Sequence, residues 1–190
     1  MYQNVMKRNA IKELYEWKEN NGRKPLVIIG ARQVGKTWLM KEFGKEAYKK
    51  CAYVNFEDND DLRGLFEHDF DIQRIIANLQ WTTGVTIDED TLIILDEIQE
   101  APRGITALKY FQEKAPQYHV IAAGSLLGIA MHKNDSFPVG KVDFMHLYPL
   151  SFYEFLNAIG EKKMVDLLQA KDWTMLTMVR AKFEERLRQY

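Results

Sequence analysis

The stretch Leu26-Val27-Ile28-Ile29, bounded by Pro25 and Gly30, constrains this chain more than any other. Four consecutive aliphatic residues are too few for a helix. Closed at both ends by breakers, they read as a short buried strand. The residues that follow, Gly30-Ala31-Arg32-Gln33-Val34-Gly35-Lys36-Thr37, fit the pattern G-x-x-x-x-G-K-[ST]. That pattern demands a strand before it and a helix opening at its second glycine, so it predicts a strand–loop–helix unit with the helix running to about Ala47.

A loop of this kind has a definite chemistry. Glycines admit close approach of the backbone and positive φ, so successive N–H groups can converge on phosphate oxygens with no side chain in the way. The amino end of the following helix adds its positive dipole. On this reading residues Gly30 to Trp38 bind a nucleoside triphosphate. Lys36 reaches the β- and γ-phosphates, and the Thr37 hydroxyl enters the shell of a Mg²⁺ ion.

The rest of the chain supplies the other parts. Leu92-Ile93-Ile94-Leu95-Asp96-Glu97 carries four aliphatic residues through a sheet and delivers two carboxylates at its carboxyl edge, where ligands bind in open α/β sheets. Asp96 is expected to hold Mg²⁺, and Glu97 to activate the water that attacks the γ-phosphate. Ser125 ends the strand-like run Val120-Ile121-Ala122-Ala123-Gly124. Two readings of it stand together: a hydroxyl that touches the γ-phosphate or the attacking water, and an N-cap for the residues Leu126–Met131.

Strand-like and helix-like segments alternate. A helix is expected over Val5 to Glu19, with Ile11, Leu14 and Trp17 at helical spacing. Strands are expected at Cys51–Asp58, Thr91–Ile98, Tyr118–Ser125 and Val142–Leu150. Helices are expected from Asp60 to about Gln80 and over Gly104–Pro116. The alternation predicts an α/β layered fold with a parallel sheet. The chain divides at about residue 150 into a core, 1–150, and a wholly helical region, 151–190, whose last helix is read as continuous over Met175–Tyr190.

Composition excludes several classes. A formal charge of −1 in 190 residues argues against a nucleic-acid carpet, while leaving a local basic face open. The four histidines are scattered without zinc-ligand spacing, and Cys51 is the single cysteine, which suits a reducing cytoplasm. The charged N-terminal segment does not read as a signal peptide, and the longest apolar run is too short to span a membrane. A soluble cytoplasmic protein is expected.

Together the strings GARQVGKT, VNFED, LDEIQEAP, AAGS and YPLSFYEFL resemble a prokaryotic family of AAA-type P-loop ATPases that carry a further C-terminal domain. The resemblance spans the whole chain, and PLSFYEFL is its most family-specific piece. It implies a three-layer P-loop NTPase sandwich with sheet order 5-1-4-3-2, Mg-ATP as ligand and Ser125 at the sensor-1 position. It also implies that this chain is the N-terminal part of a longer protein. Ala31 stands where the family usually has proline, and Lys141 where an arginine is often found. Lysine there keeps the charge and loses the planar fork.

The expected function is therefore Mg-dependent ATP hydrolysis coupled to a conformational change, with Glu97, Lys36 and Ser125 catalytic and Thr37 and Asp96 at the metal. An ATP-gated binding switch with little or no hydrolysis is the alternative, and a homo-oligomer is left open. A GTPase is disfavoured because no N-K-x-D string occurs, and a small-molecule kinase because no arginine-rich lid does. Arg8 and Ile11 are candidates to cover the adenine, Arg103 is a weak candidate to reach a neighbouring subunit's phosphate, Arg32 reads as an exposed loop residue, and neither arginine is assigned as an arginine finger.

Overall fold

The structure, a computed structural model, describes residues 8–125 and 140–190. It forms two compact units: Lys12–Tyr148, and Pro149–Tyr190 with residues 8–11. The N-cap reading of Ser125 concerns residues that lie outside the described ones.

The larger unit is built on a five-stranded sheet: β1 (Leu26–Ile29), β2 (Lys50–Asn55), β3 (Thr91–Asp96), β4 (His119–Gly124) and β5 (Asp143–His146). Its order is β2-β3-β4-β1-β5, and every pairing is parallel. This is the expected 5-1-4-3-2 order read from the other edge. Residues β3 and β4 contribute are almost all buried, as strands covered on both faces require.

The two faces can be assigned from the two-residue period of a strand. Val27, Val54, Ile93, Leu95 and Ala122 share one face and cluster with helices α4 (Ile72–Thr83) and α5 (Gly104–Lys114). On the opposite face lies α2 (Lys36–Ala47), where Gly44 meets the side chains of Cys51 and Leu92. The sheet is thus the middle of three layers.

Three expected helices differ. The segment from Asp60 to Gln80 is not one helix but α3 (Asp60–Arg63), a single tight turn at Gly64–Phe66, and α4. Asp71 ends the continuity by accepting the Arg74 N–H as N-cap of α4. Asp69 Oδ1 holds the Asp71 N–H and the Arg74 guanidinium. The apolar positions Leu62, Leu65, Phe66, Ile72, Ile75 and Leu79 are buried all the same. Likewise α1 starts only at Ile11 and ends at Glu19, because the Asn9 N–H donates to Glu154 Oε1 at 2.7 Å and residues 8–10 stay outside the helix.

The smaller unit holds α6 (Phe152–Ala158), α7 (Lys162–Ala170), α8 (Trp173–Met178) and α9 (Arg180–Gln189) around Leu156, Met164, Val165 and Phe183. The expected last helix is broken at Val179, where φ is −105° and ψ 18°. Thr177 Oγ1 donates back to Trp173 O, a bond that bends helices. Ser151 and Glu154 form a capping box that starts α6. Among the described residues no helix is long and apolar enough to cross a membrane.

Candidate active site

The carboxyl ends of β1, β3 and β4 converge on the loop 30–37. Ile29 pairs with Gly124 on one side and His146 on the other, and Asp96 pairs with Asn55.

Gly30 is required by packing: a Cβ there would lie 2.4 Å from the Leu147 carbonyl oxygen. Gly35 is required by conformation, with φ 90° as the N-cap of α2. No side chain caps this helix, so its first N–H groups are not taken by a side-chain acceptor. Gln33 also sits at positive φ, 63°, in a region that costs a side chain about 1–2 kcal/mol. Val34 is buried and anchors the loop, Trp38 is half-buried in the first turn of α2, and Ala31, Arg32 and Gln33 are exposed.

Lys36 is only 5% exposed. Its ammonium folds back on the loop, donating to Gly30 O at 2.9 Å and Ala31 O at 2.8 Å. Burial pulls its pKa below the ordinary lysine value. The carboxylates of Glu97 and Asp96 oppose that shift, and Arg32 adds to it.

Asp96 is 1% exposed and collects three donors. Oδ2 accepts from the Thr37 hydroxyl at 2.6 Å and from the Tyr53 hydroxyl at 3.1 Å, while Oδ1 accepts from the Glu97 N–H at 3.1 Å. Burial, and then the Asp96 charge, pushes the Tyr53 hydroxyl well above its ordinary range. Thr37 and Asp96 are hard oxygen donors at contact distance, which suits Mg²⁺. Among the described residues no cluster of three or more His, Cys, Asp or Glu could hold a metal. An ion bound by one carboxylate, one hydroxyl and phosphate oxygens needs no such cluster.

Glu97 leaves β3 in the left-handed region, φ 49° and ψ 45°. That turn directs its carboxylate to Ser125: Oε1 accepts the Ser125 hydroxyl at 2.8 Å, and Oε2 the Ser125 N–H at 3.1 Å. Gln99 donates to Oε2 at 2.6 Å. Three of about four acceptor positions are thereby taken, and the open one is on Oε1. Burial raises the Glu97 pKa, but the Gln99 and Ser125 donors and the Lys36 charge outweigh it and hold the carboxyl below its ordinary value. Glu97, Gln99 and Ser125 line an open cleft of about 300 Å³ with Arg32, Gln33 and Glu57.

The chain matches the model of the AAA domain family over residues 22–156. It belongs to the AAA domain family. The fold agrees: the Walker-type ATPase paby2304 of Pyrococcus abyssi superposes with a TM-score of 0.55 at 16% identity, covering 84% of this chain. This AAA chain spans 58% of that protein's length. Caenorhabditis elegans PCH-2 matches with a TM-score of 0.44 at 14% identity, over 89% of this chain and 46% of its own. The Aeropyrum pernix ORC1 protein, solved in complex with DNA, matches with a TM-score of 0.49 at 13% identity, over 82% and 48%. No curated protein matches the chain. Nucleotide binding follows from the family.

Sequence reasoning overlooked Tyr53 and Gln99. Tyr53 stands in the expected strand Cys51–Asp58, just before VNFED, and Gln99 inside LDEIQEAP, yet neither residue type announces a role. The other cations are placed elsewhere. Lys141 pairs with Glu113 at 3.0 Å and precedes β5 by two residues, at the amino edge of the sheet, opposite the loop. Arg103 donates to Glu67 O and lies 4.3 Å over the Phe70 ring. Arg8 is buried, 3.4 Å from Glu154.

Proposed function

We propose that this AAA domain binds Mg-ATP on the loop Gly30–Thr37 and hydrolyses it, with Glu97 as general base. The observation that carries the reading is the Glu97 carboxylate. It is aimed by Ser125 and Gln99 and electrostatically coupled to Lys36, beside the Thr37–Asp96 pair. Lys36 would leave the Gly30 and Ala31 carbonyls for phosphate oxygens, and the uncapped N–H groups of α2 would complete the cradle. Thr37 and Asp96 would hold Mg²⁺, which when bound neutralises phosphate charge. Water would form its bond to the γ-phosphorus as the bond to the bridging oxygen breaks, releasing ADP, while Glu97 takes the proton. Coupling of nucleotide state to a conformational change, and a further domain beyond this chain, belong to the same proposal.

Two observations favour the second reading, an ATP-gated switch that turns over little. Glu97 is held below its ordinary pKa, which weakens it as a base, and Lys141 sits at the edge of the sheet away from the loop. Any charge that Lys141 or Arg103 adds to the reaction would then have to act on a neighbouring copy.

The test is Mg-ATP hydrolysis as a function of protein concentration, with Glu97→Gln as control. Turnover per chain that rises with concentration and vanishes in the variant supports hydrolysis completed by a neighbour. Tight ATP binding with no turnover above the variant supports the switch.

A further inference from the structure

Gln99 lies in the single turn Ile98–Glu100 that follows Glu97. Its amide nitrogen donates to Glu97 Oε2 at 2.6 Å and reaches Glu100 Oε1 at 3.5 Å. A carboxylate only accepts hydrogen bonds, so the nitrogen and not the oxygen must face Glu97. Chemistry thereby orients the amide. The other arm of the amide, Oε1, is cut off from solvent and has no donor among the described residues. Buried acceptors without donors are uncommon, because they give up hydration and gain nothing in return. This one belongs to a side chain that lines the cleft beside Glu97 and Ser125.

We propose that Gln99 is a water-positioning residue: when nucleotide binds, a small turn of its side chain opens Oε1 to the cleft, where it accepts one hydrogen of the attacking water while Glu97 Oε1 accepts the other. The proposal rests on the reading of Glu97 as general base. It gives the orphaned oxygen a donor that arrives with the substrate, and it uses the one acceptor position that Ser125 and Gln99 leave open on Glu97. In the reaction the water oxygen bonds to the γ-phosphorus and the bond to the ADP oxygen breaks. One water proton passes to Glu97, and the other stays on the phosphate formed, still facing Gln99. The same side chain therefore does two things: its nitrogen fixes the base, and its oxygen fixes the nucleophile.

A purely structural Gln99 and a water-positioning Gln99 differ in what its loss changes. Gln99→Met keeps the volume and removes both arms of the amide. In the free protein only the nitrogen's bond to Glu97 is lost, since the acceptor arm has no donor there, so the thermal midpoint without nucleotide should fall by no more than a few degrees, about what one partly exposed hydrogen bond is worth. The dissociation constant for Mg-ATP, read by calorimetry in the Glu97→Gln background where no turnover occurs, should also be unchanged. The large effect should be on kcat, a drop of roughly 10- to 100-fold, well beyond what a few degrees of lost stability accounts for, as expected for loss of one orienting contact to a reacting group. Gln99→Glu keeps an acceptor but sets a second carboxylate against Glu97, and should be as slow or slower.

A Gln99→Met protein with wild-type kcat overturns the proposal. So does one whose kcat falls only in step with a lower midpoint or weaker ATP binding. If wild type hydrolyses ATP, Glu97→Gln abolishes it and Gln99→Met leaves it intact, this inference alone is wrong. If wild-type turnover does not exceed that of Glu97→Gln, the general-base reading is wrong and this inference falls with it.

Discussion

Replacing Gly30 with alanine separates two reasons for a glycine at the head of the loop. If Gly30 served only to let phosphate approach, the variant would fold normally and lose nucleotide. The structure says otherwise. The added Cβ would lie 2.4 Å from Leu147 O, 3.2 Å from Val34 Cγ2 and 3.3 Å from the Leu147 carbonyl carbon. The oxygen is about 1 Å closer than an ordinary van der Waals contact allows. It is also backbone, and it cannot swing aside freely because the Leu147 N–H donates to Ile29 O at 2.7 Å. Relief must come from parting β1 from the chain that leaves β5. Overpacking costs about 1–3 kcal/mol, and weakening that hydrogen bond about 1 more. At roughly 2–4 °C per kcal/mol for a chain of this size, the nucleotide-free midpoint should fall by about 4–16 °C. The assay is thermal unfolding followed by far-ultraviolet circular dichroism, without ATP. Gly22→Ala, whose nearest neighbour would be an ordinary 3.5 Å away, is the control and should unfold like wild type. A Gly30→Ala protein with an unshifted midpoint would refute the packing argument.

Other predictions follow from single sites. His119 accepts or donates with the Tyr48 hydroxyl at 2.6 Å; burial first, then Arg23 and Lys18, lowers its pKa to about 4, against a smaller opposing pull from Asp90. The unfolded chain therefore takes up a proton near pH 6.5 that the folded one refuses until about pH 4. Stability should fall as pH drops through that window, by at most about 1.4 kcal/mol per pH unit, and His119→Asn should flatten the slope in denaturant titrations. Gln33→Gly should raise the nucleotide-free stability by about 0.5–1 kcal/mol, the relief of positive φ less the entropy glycine adds to the unfolded chain; an unchanged midpoint would remove the claim of strain. Glu154→Ala should cost about 3–5 kcal/mol, because it strips the capping box of α6 and leaves the buried Arg8 without this carboxylate; a loss under about 1 kcal/mol in urea unfolding would show the pair to be dispensable.

How much of this could be read from the residues depended on the kind of signal. The strands at Leu26–Ile29 and Thr91–Asp96 were legible because runs of aliphatic residues between breakers have few other uses. Sheet order was not written in any one strand and came from resemblance. The break near Asp71 was hidden because the apolar spacing of a helix continues through it. Only the local bonds of Asp69 and Asp71 to Arg74 interrupt the backbone. Lys36, Thr37, Asp96, Glu97 and Ser125 were singled out because loop and strand-end positions made their side chains hard to explain otherwise, and the structure brings them to one sheet edge. Tyr53 and Gln99 escaped for the opposite reason. An aromatic in a strand and a glutamine in a turn are ordinary, and their partners are far off in sequence or reached through an unusual φ at Glu97.

The central claim is that this cluster holds ATP through Mg²⁺, and its most direct test is calorimetric titration of ATP in excess Mg²⁺ and in EDTA. Without the ion, the phosphates would face the carboxylates of Asp96 and Glu97 with Lys36 as the nearest compensating charge. The account predicts binding in Mg²⁺, a loss of affinity of at least tenfold in EDTA, and little difference between the two conditions in Asp96→Asn. Equal affinity with and without Mg²⁺ in wild type, unaltered by Lys36→Ala, would contradict it.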